Sequence, residues 1–429
     1  MPEYHKIVII GAGQGGLGIS YYLTKFNLPH IVVDTGDIAN SWKEKRWDSF
    51  CLVTPNWTLN FPEHPYKGID PNGFMKRDEF VEYISKWAKS FNVPIRKNIN
   101  IKSVKIKNTK FLLETNTQNF LSDVVVIATS THQLPRIPNV SKKIPNSIKS
   151  IHVESYKNPF ELDNGDVLVV GSGQSGCQVV EDLLSAGKKV HLCVGKSGRL
   201  PRSYRGKDCI AWQKEMKLLD RTPDMLENPS LRFAGDPHLT GRDGGKTLSL
   251  HKFHRNGVNL YGRLIDVSSD HFIFDDNLFS DIVYADKYAK EFRKKIDDYI
   301  NISKLNVPSP SHEDFDGEAT KDDKAIEIKR SLDFIKNKIK TIIWATGFIY
   351  DFSWVNCPIT DEMGYPKTNQ GATNIKGLYF NGLNWMTKRK SGILYGFDED
   401  SINVATQIKN YLKNIINSKN LNAGDYKCM

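Results

Sequence analysis

Two glycine-rich turns constrain this chain more than any other feature, because each sits between a run of β-branched residues and an apolar stretch at helical spacing. The first is Ile7-Val8-Ile9-Ile10-Gly11-Ala12-Gly13-Gln14-Gly15-Gly16, and the strand His30-Ile31-Val32-Val33-Asp34 that follows ends on an acid 23 residues beyond Gly11. A buried parallel strand, a tight turn and a helix are predicted there. In such a unit Gly11 makes the turn and Gly13 lets a pyrophosphate approach the backbone. Gly16 lets helix and strand pack, and Asp34 receives ribose hydroxyls. The pattern returns 160 residues later: Asp166-Val167-Leu168-Val169-Val170 leads into Gly171-Ser172-Gly173-Gln174-Ser175-Gly176, then a helix over Gln178–Ala186 and a strand Lys189–Val194. Two separate nucleotide folds follow, room for one dinucleotide as hydride donor and another as electron carrier.

The residues after each second strand separate the two sites. Asp34 suits a free ribose diol, whereas the second strand is followed by Lys196, Arg199, Arg202 and Arg205. A carboxylate there would repel a 2′-phosphate that Arg and Lys can pair with, so the second site is expected to prefer NADP(H) to NAD(H). Two further apolar strands, Asp123–Ser130 and Thr341–Phe348, each end in Ala-Thr and a small residue. They read as the last strand of a nucleotide unit before the chain leaves it. The expected organisation is α/β, with two Rossmann-like domains: residues 1–155 and 340–429 form the first, and residues 156–339 form the second, inserted into it. Residues 309–340 read as a solvated excursion, with a Lys-rich helix over 322–340.

Composition narrows the function classes. The 429 residues are 39% hydrophobic and 25% charged, close to an ordinary globular chain. No window approaches the roughly 18–20 apolar residues of a membrane span, and the N-terminus lacks a secretory signal pattern, so no membrane partner and a cytoplasmic location are expected. The net charge of +10 comes from Lys spread along the chain, which argues for no nucleic-acid partner. Cys51, Cys177, Cys193, Cys209, Cys357 and Cys428 form no CxxC pair and no metal-ligand spacing, so neither a metal site nor a redox dithiol is expected.

At this point the residues resemble the class B flavin-dependent monooxygenases, the flavin-containing monooxygenase-like flavoproteins with two dinucleotide-binding domains, in a bacterial subgroup. That family carries Phe-x-Gly-x-x-x-His-x-x-x-Tyr/Phe before its second fingerprint. Residues 146–156 keep His152 and Tyr156 but place Asn146 and Ile148 at the Phe and Gly positions. The subgroup's block is present as Trp42, Arg46-Trp47-Asp48, Leu52-Val53-Thr54-Pro55-Asn56-Trp57, Pro201–Gly206 and Gly377–Leu383.

The resemblance implies FAD at the first fingerprint and NADPH at the second. It implies a monooxygenase that passes one atom of O₂, through a flavin C4a-hydroperoxide, to the N or S of a small nucleophilic substrate. On this reading Gly11, Gly13, Gln14, Gly16, Asp34, Trp42, Arg46, Thr54, Gly171, Gly173, Gln174, Ser175, Gly176, Lys196, Arg199, Arg202, Arg205, Thr346 and Gly347 hold cofactors, and Asn56 and Tyr156 carry catalytic roles. Asn56 has a second reading as a turn residue after Pro55, and His152 is either a hinge contact or structural. Trp42, Trp47, Trp57 and Tyr395 either enclose substrate or pack the core. Release of H₂O₂ by an oxidase or reductase, Baeyer–Villiger oxygenation and a non-catalytic redox or transport accessory stay open beside the first reading. So does a homodimer.

Overall fold

A computed structural model describes residues 1–321 and 323–424, so Cys428 lies outside the described residues. The chain begins with β1 (Glu3–Ile10), α1 (Gln14–Lys25) and β2 (Ile31–Val33), followed by α2 (Asn40–Glu44) and α3 (Arg77–Ser90). Strands β3 (Ile95–Arg96), β4 (Ile101–Lys107), β5 (Lys110–Thr115) and β6 (Phe120–Ile127) then complete a sheet in the order β3-β2-β1-β6-β5-β4. β1 is parallel to both β2 and β6, while β4 and β5 form an antiparallel hairpin on the far side. Ile7, Val8 and Ile9 have no exposed surface, as a strand flanked on both sides and covered on both faces requires.

The second unit opens with β7 (Lys149–His152) and β8 (Asp166–Val170), then α4 (Gln174–Ser185), β9 (Val190–Cys193) and β10 (Asn259–Tyr261). A small antiparallel sheet of β11 (Leu264–Val267), β12 (His271–Phe274) and β13 (Ser331–Asp333) follows, interrupted by the helix α5 (Leu278–Ser303). The strand β14 (Ile339–Trp344) closes the second parallel sheet, in the order β7-β14-β8-β9-β10. The chain then returns: β15 (Leu378–Phe380) pairs with β6 in the first sheet, and α6 (Phe397–Gly424) packs on α1. The mixed α/β architecture with two Rossmann-like sheets is the one expected.

Two details differ from the sequence reading. β7 and β14 both lie in the second sheet, so the chain crosses between the units just before Lys149 and just after Trp344. Residues 322–340 hold no helix among those described. Their lysines flank β13, a turn held by Asp333, whose Oδ1 accepts from the Ile335 and Lys336 amides, and β14. The long helix of this region is α5 instead, with Leu278, Ile282, Ala285, Ala289, Phe292, Ile296 and Ile300 buried along one stripe, a helical period. Among the described residues no helix is long and apolar enough to cross a membrane, and no cluster of His, Cys, Asp and Glu has a metal-holding arrangement.

Candidate functional site

The two glycine turns take the same shape. Gly11 has φ +111°, and a Cβ there would stand 2.5 Å from the Ala128 carbonyl at the end of β6; Gly171 has φ +107°, with 2.6 Å to the Ala345 carbonyl at the end of β14. A Cβ on Gly16 would meet the Gly11 oxygen at 1.8 Å, and one on Gly176 the Gly171 oxygen at 1.9 Å. These positions admit only glycine. At Gly13 and Gly173 a Cβ would meet nothing within 4 Å, so both turns keep open space at the start of α1 and α4, where free N–H groups and the helix dipole favour a phosphate.

The first turn opens into a cavity of about 550 Å³. Its walls include Gly11, Gly13, Gln14 and Asp34 of the first unit's turn and strand end, together with Trp42, Arg46, Thr54, His132, Phe348 and Ile393. Asp34 is fixed by accepting from the Ala12 amide at 2.7 Å and the Gly36 amide at 2.9 Å. Gln14 links two walls: its Oε1 accepts from Trp42 Nε1 at 3.2 Å, and its Nε2 donates to the Gly392 carbonyl at 3.3 Å.

Arg46 stacks on the Trp42 and Phe50 rings and donates to the Lys45 carbonyl at 2.9 Å. Burial pushes its pKa down to about 10. The guanidinium makes no ion pair with a described carboxylate, which leaves an unpaired cation in the cavity wall. The cavity, the open turn before α1 and the Asp34 carboxylate beside it fit FAD.

His132 is a lining residue that the sequence reading missed, although it stands just past the Ala128-Thr129-Ser130 strand end. Its depth in the cleft, with Arg46 nearby, pushes its pKa down to about 4, so the ring is neutral. Phe348 meets His132 and His152 edge-on, each at 5.0 Å. His152 Nε2 lies 3.1 Å from the Gly347 carbonyl, and Phe348–Ile349 pair antiparallel with Leu134–Pro135. The two Ala-Thr strand exits are thus tied together where the chain crosses between units.

Several expected site residues have other work. Asn56 is outside the cavity lining; its Nδ2 donates to the Asp70 carbonyl at 3.0 Å and its amide to Gly73 O at 2.9 Å, which is the turn-residue reading. Tyr156 is fully buried and donates to Asp182 Oδ2 at 2.6 Å. Burial pushes its pKa up, and the Asp182 carboxylate adds to the rise, so it has neither solvent nor cavity access for a catalytic role. Thr346 donates to the Arg136 carbonyl and Gly347 O accepts from the Arg136 amide; both belong to the crossing rather than to the cavity wall. Trp42 lines the cavity, whereas Trp47 is core and Trp57 packs against Tyr395.

The basic residues after β9 need the largest correction. Arg199 is 1% exposed and pairs with Asp286 at 2.9 Å and Glu318 at 3.0 Å. Arg202 pairs with Asp208 at 2.5 Å and donates to the Val53 carbonyl at 2.9 Å, and Arg205 pairs with Asp297 at 3.0 Å. These three arginines are neutralised by the protein's own carboxylates. Lys196 alone stays exposed, its Nζ 4.9 Å above the Tyr284 ring. Around the second turn Ser172 Oγ accepts from the Gly195 amide at 3.0 Å, and Gln174 Nε2 donates to the Leu239 carbonyl at 3.0 Å, with Ser175 beside it in the first turn of α4.

A family profile described as pyridine nucleotide-disulphide oxidoreductase matches residues 8–216. The chain is 30% identical over 414 residues to an oxidoreductase termed CzcO-like from Geobacillus kaustophilus, covering 96% of this chain and 100% of the relative. It is also 30% identical over 213 residues to a probable indole-3-pyruvate monooxygenase of Arabidopsis thaliana, covering 47% of this chain and 50% of that protein. A flavin-containing monooxygenase from Stenotrophomonas maltophilia has the same fold, with a TM-score of 0.63 at 14% identity over 96% of this chain and 99% of that one.

Proposed function

Because the chain belongs to the CzcO-like oxidoreductases, we propose that it is an FAD-dependent, NADPH-consuming monooxygenase acting on a small substrate with a nucleophilic nitrogen or sulfur. The observation that carries this reading is the pair of glycine turns of matching geometry, one opening into a cavity that Asp34 lines and the other followed by the exposed Lys196. FAD would be held by Gly11, Gly13 and Gln14 at its phosphates, by Asp34 at its ribose, and by Trp42, Arg46 and Thr54 along the outer wall. NADPH would be held at Gly171, Gly173, Gln174, Ser175 and Gly176, with Lys196 as the cation for the 2′-phosphate. Bound FAD would take two electrons from NADPH and pass them to O₂, one oxygen atom going to substrate and the other to water.

The chain's own contribution is binding, orientation and exclusion of water. Trp42, Phe50, Leu52 and Ile393 wall the cavity with apolar surface, and Arg46 would supply a positive charge to the anionic form of a reduced flavin held there. The neutral His132 adds no second cation. No described cysteine lines the cavity, and Cys51, Cys177, Cys193 and Cys209 are buried, which supports oxygen chemistry over the thiol–disulfide exchange in the family profile's description.

The reading is tested with the yellow holoprotein, NADPH and ¹⁸O₂ in the presence of candidate amines and thioethers. Substrate-stimulated NADPH consumption with ¹⁸O in the product supports it. Release of all the oxygen as H₂O₂ with every substrate replaces it with the oxidase reading.

A further inference from the structure

One buried carboxylate joins the helix of the second glycine turn to the segment leading into the first cavity's wall and to the loop between them. Asp182 lies two turns into α4, the helix whose N-terminus forms the second phosphate cradle, and is 4% exposed. Its Oδ2 accepts from Tyr156 Oη at 2.6 Å, on the segment that joins β7 to β8 just after the chain enters the second unit. Its Oδ1 accepts from Ser49 Oγ at 2.6 Å and from Arg242 Nη1 at 2.8 Å.

Ser49 begins the segment that continues into Leu52, Val53 and Thr54 of the cavity wall. Arg242 ends the loop 239–242 that runs between the two sites: Leu239 O accepts from Gln174 in the second cradle, and a Cβ on Gly241 would stand 2.0 Å from the Leu52 carbonyl of the first cavity. Beside it, Thr240 Oγ1 donates to Glu181 Oε2 at 2.8 Å.

We propose that Asp182 is a positioning residue that sets the alignment of the NADPH cradle against the FAD cavity. The inference rests on the functional reading above. A hydride, one proton with two electrons, leaves the nicotinamide of NADPH for the flavin, giving NADP⁺ and reduced FAD. That transfer needs the reacting atoms within about 3–3.5 Å. Asp182 exchanges neither proton nor electron. Its three directional bonds hold α4, the segment leading into the cavity wall, the β7–β8 segment and the bridging loop in one arrangement. A buried charge is a poor source of net stability, since well-packed apolar residues serve as well or better. Bond direction is what a carboxylate supplies here and a leucine does not.

The test compares wild-type holoprotein with Asp182→Asn, Ser49→Ala and Tyr156→Phe. FAD and NADP⁺ affinities come from fluorescence quenching. The long-wavelength absorbance of NADP⁺ stacked on dithionite-reduced FAD reports alignment without turnover. Anaerobic bleaching by NADPH reports transfer. The expected result for Asp182→Asn is unchanged affinities, a weakened long-wavelength band and bleaching slowed by about 10- to 100-fold, with smaller losses in the other two. Should Asp182→Asn not fold, Ser49→Ala, which leaves the Arg242 pair intact, carries the test. An unchanged band and bleaching rate with only a lower melting temperature would overturn the proposal, as would a rate loss explained wholly by weaker cofactor binding. A wild-type protein that NADPH does not bleach at all would overturn the functional reading instead.

Discussion

The two nucleotide units share their glycine geometry to within about a tenth of an ångström at the closest approaches, yet they are finished differently. Around the first turn the neighbouring side chains stand back, and a cavity of about 550 Å³ opens there, with Asp34 and His132 both in its lining. Around the second, the loop 239–242 and Tyr288 close in: Gln174 holds Leu239, and a Cβ on Gly198 would meet the Tyr288 ring at 2.9 Å. The fingerprint therefore encodes a phosphate cradle and little else. Which dinucleotide sits in it, and how tightly it is enclosed, is decided by residues distant in sequence.

The sharpest way to break the comparison is to fill each cradle. Gly13→Val places methyl groups where phosphate is expected and gives colourless protein, while Gly173→Val stays yellow and loses NADPH affinity by at least about tenfold, or 1.4 kcal/mol. Flavin absorbance per polypeptide and NADPH titration check both, and a fully yellow Gly13→Val protein removes FAD from the first site. Next comes the charge after β9. Arg199→Ala removes the buried cation that Asp286 and Glu318 share, leaving them His251 and Arg293, and lowers the unfolding free energy by about 2 kcal/mol, less than for a fully dry pair because both carboxylates reach solvent and keep a second partner, with no selective effect on NADPH. Lys196→Ala keeps stability and raises the Michaelis constant for NADPH about tenfold over that for NADH. Equal effects on the two coenzymes would sink the Lys196 assignment.

Acidity has a smaller effect, and it reaches both sites, since His132 in the open cavity is depressed as His238 is. Burial pushes the pKa of His238, beside the second turn, from 6.5 down to about 4. The unfolded chain then binds the extra proton first, so stability is full above about pH 6.5 and falls towards pH 4 by about 1.4 kcal/mol per unit. Urea melts at pH 7.0 and 5.0 should show that slope in wild type and a shallower one in His238→Gln. The smallest change is expected at Asn56: Asn56→Ala costs about 1 kcal/mol through the lost bond to Asp70 and leaves the flavin spectrum unaltered. A shifted flavin spectrum would restore Asn56 to the cofactor site.

What could be read early and what could not divides along contact range. Gly11, Gly13 and Gly16, their strand and their helix lie within a few residues of one another, so local sterics fix them and the sequence shows them directly. Asp34 was legible because it ends the next strand of the same unit. Arg199 was not, since its partners Asp286 and Glu318 lie 87 and 119 residues away, and a cation beside a predicted phosphate site looks the same whether or not the fold has already neutralised it. Tyr156 misled for the same reason: its partner Asp182 is on a different element, and only packing shows the hydroxyl to be enclosed.

The sequence by itself determined the two cradles, the α/β class and the insertion of one unit in the other, because β-branched runs and obligatory glycines act over short distances. Tertiary structure alone decided which charges remain free for a ligand, Arg46 and Lys196 rather than Arg199, Arg202 and Arg205, and brought Ser49, Tyr156, Asp182 and Arg242 to one point. Pairing of buried charges depends on which distant segments share a low-dielectric interior, and that is a property of the packed chain.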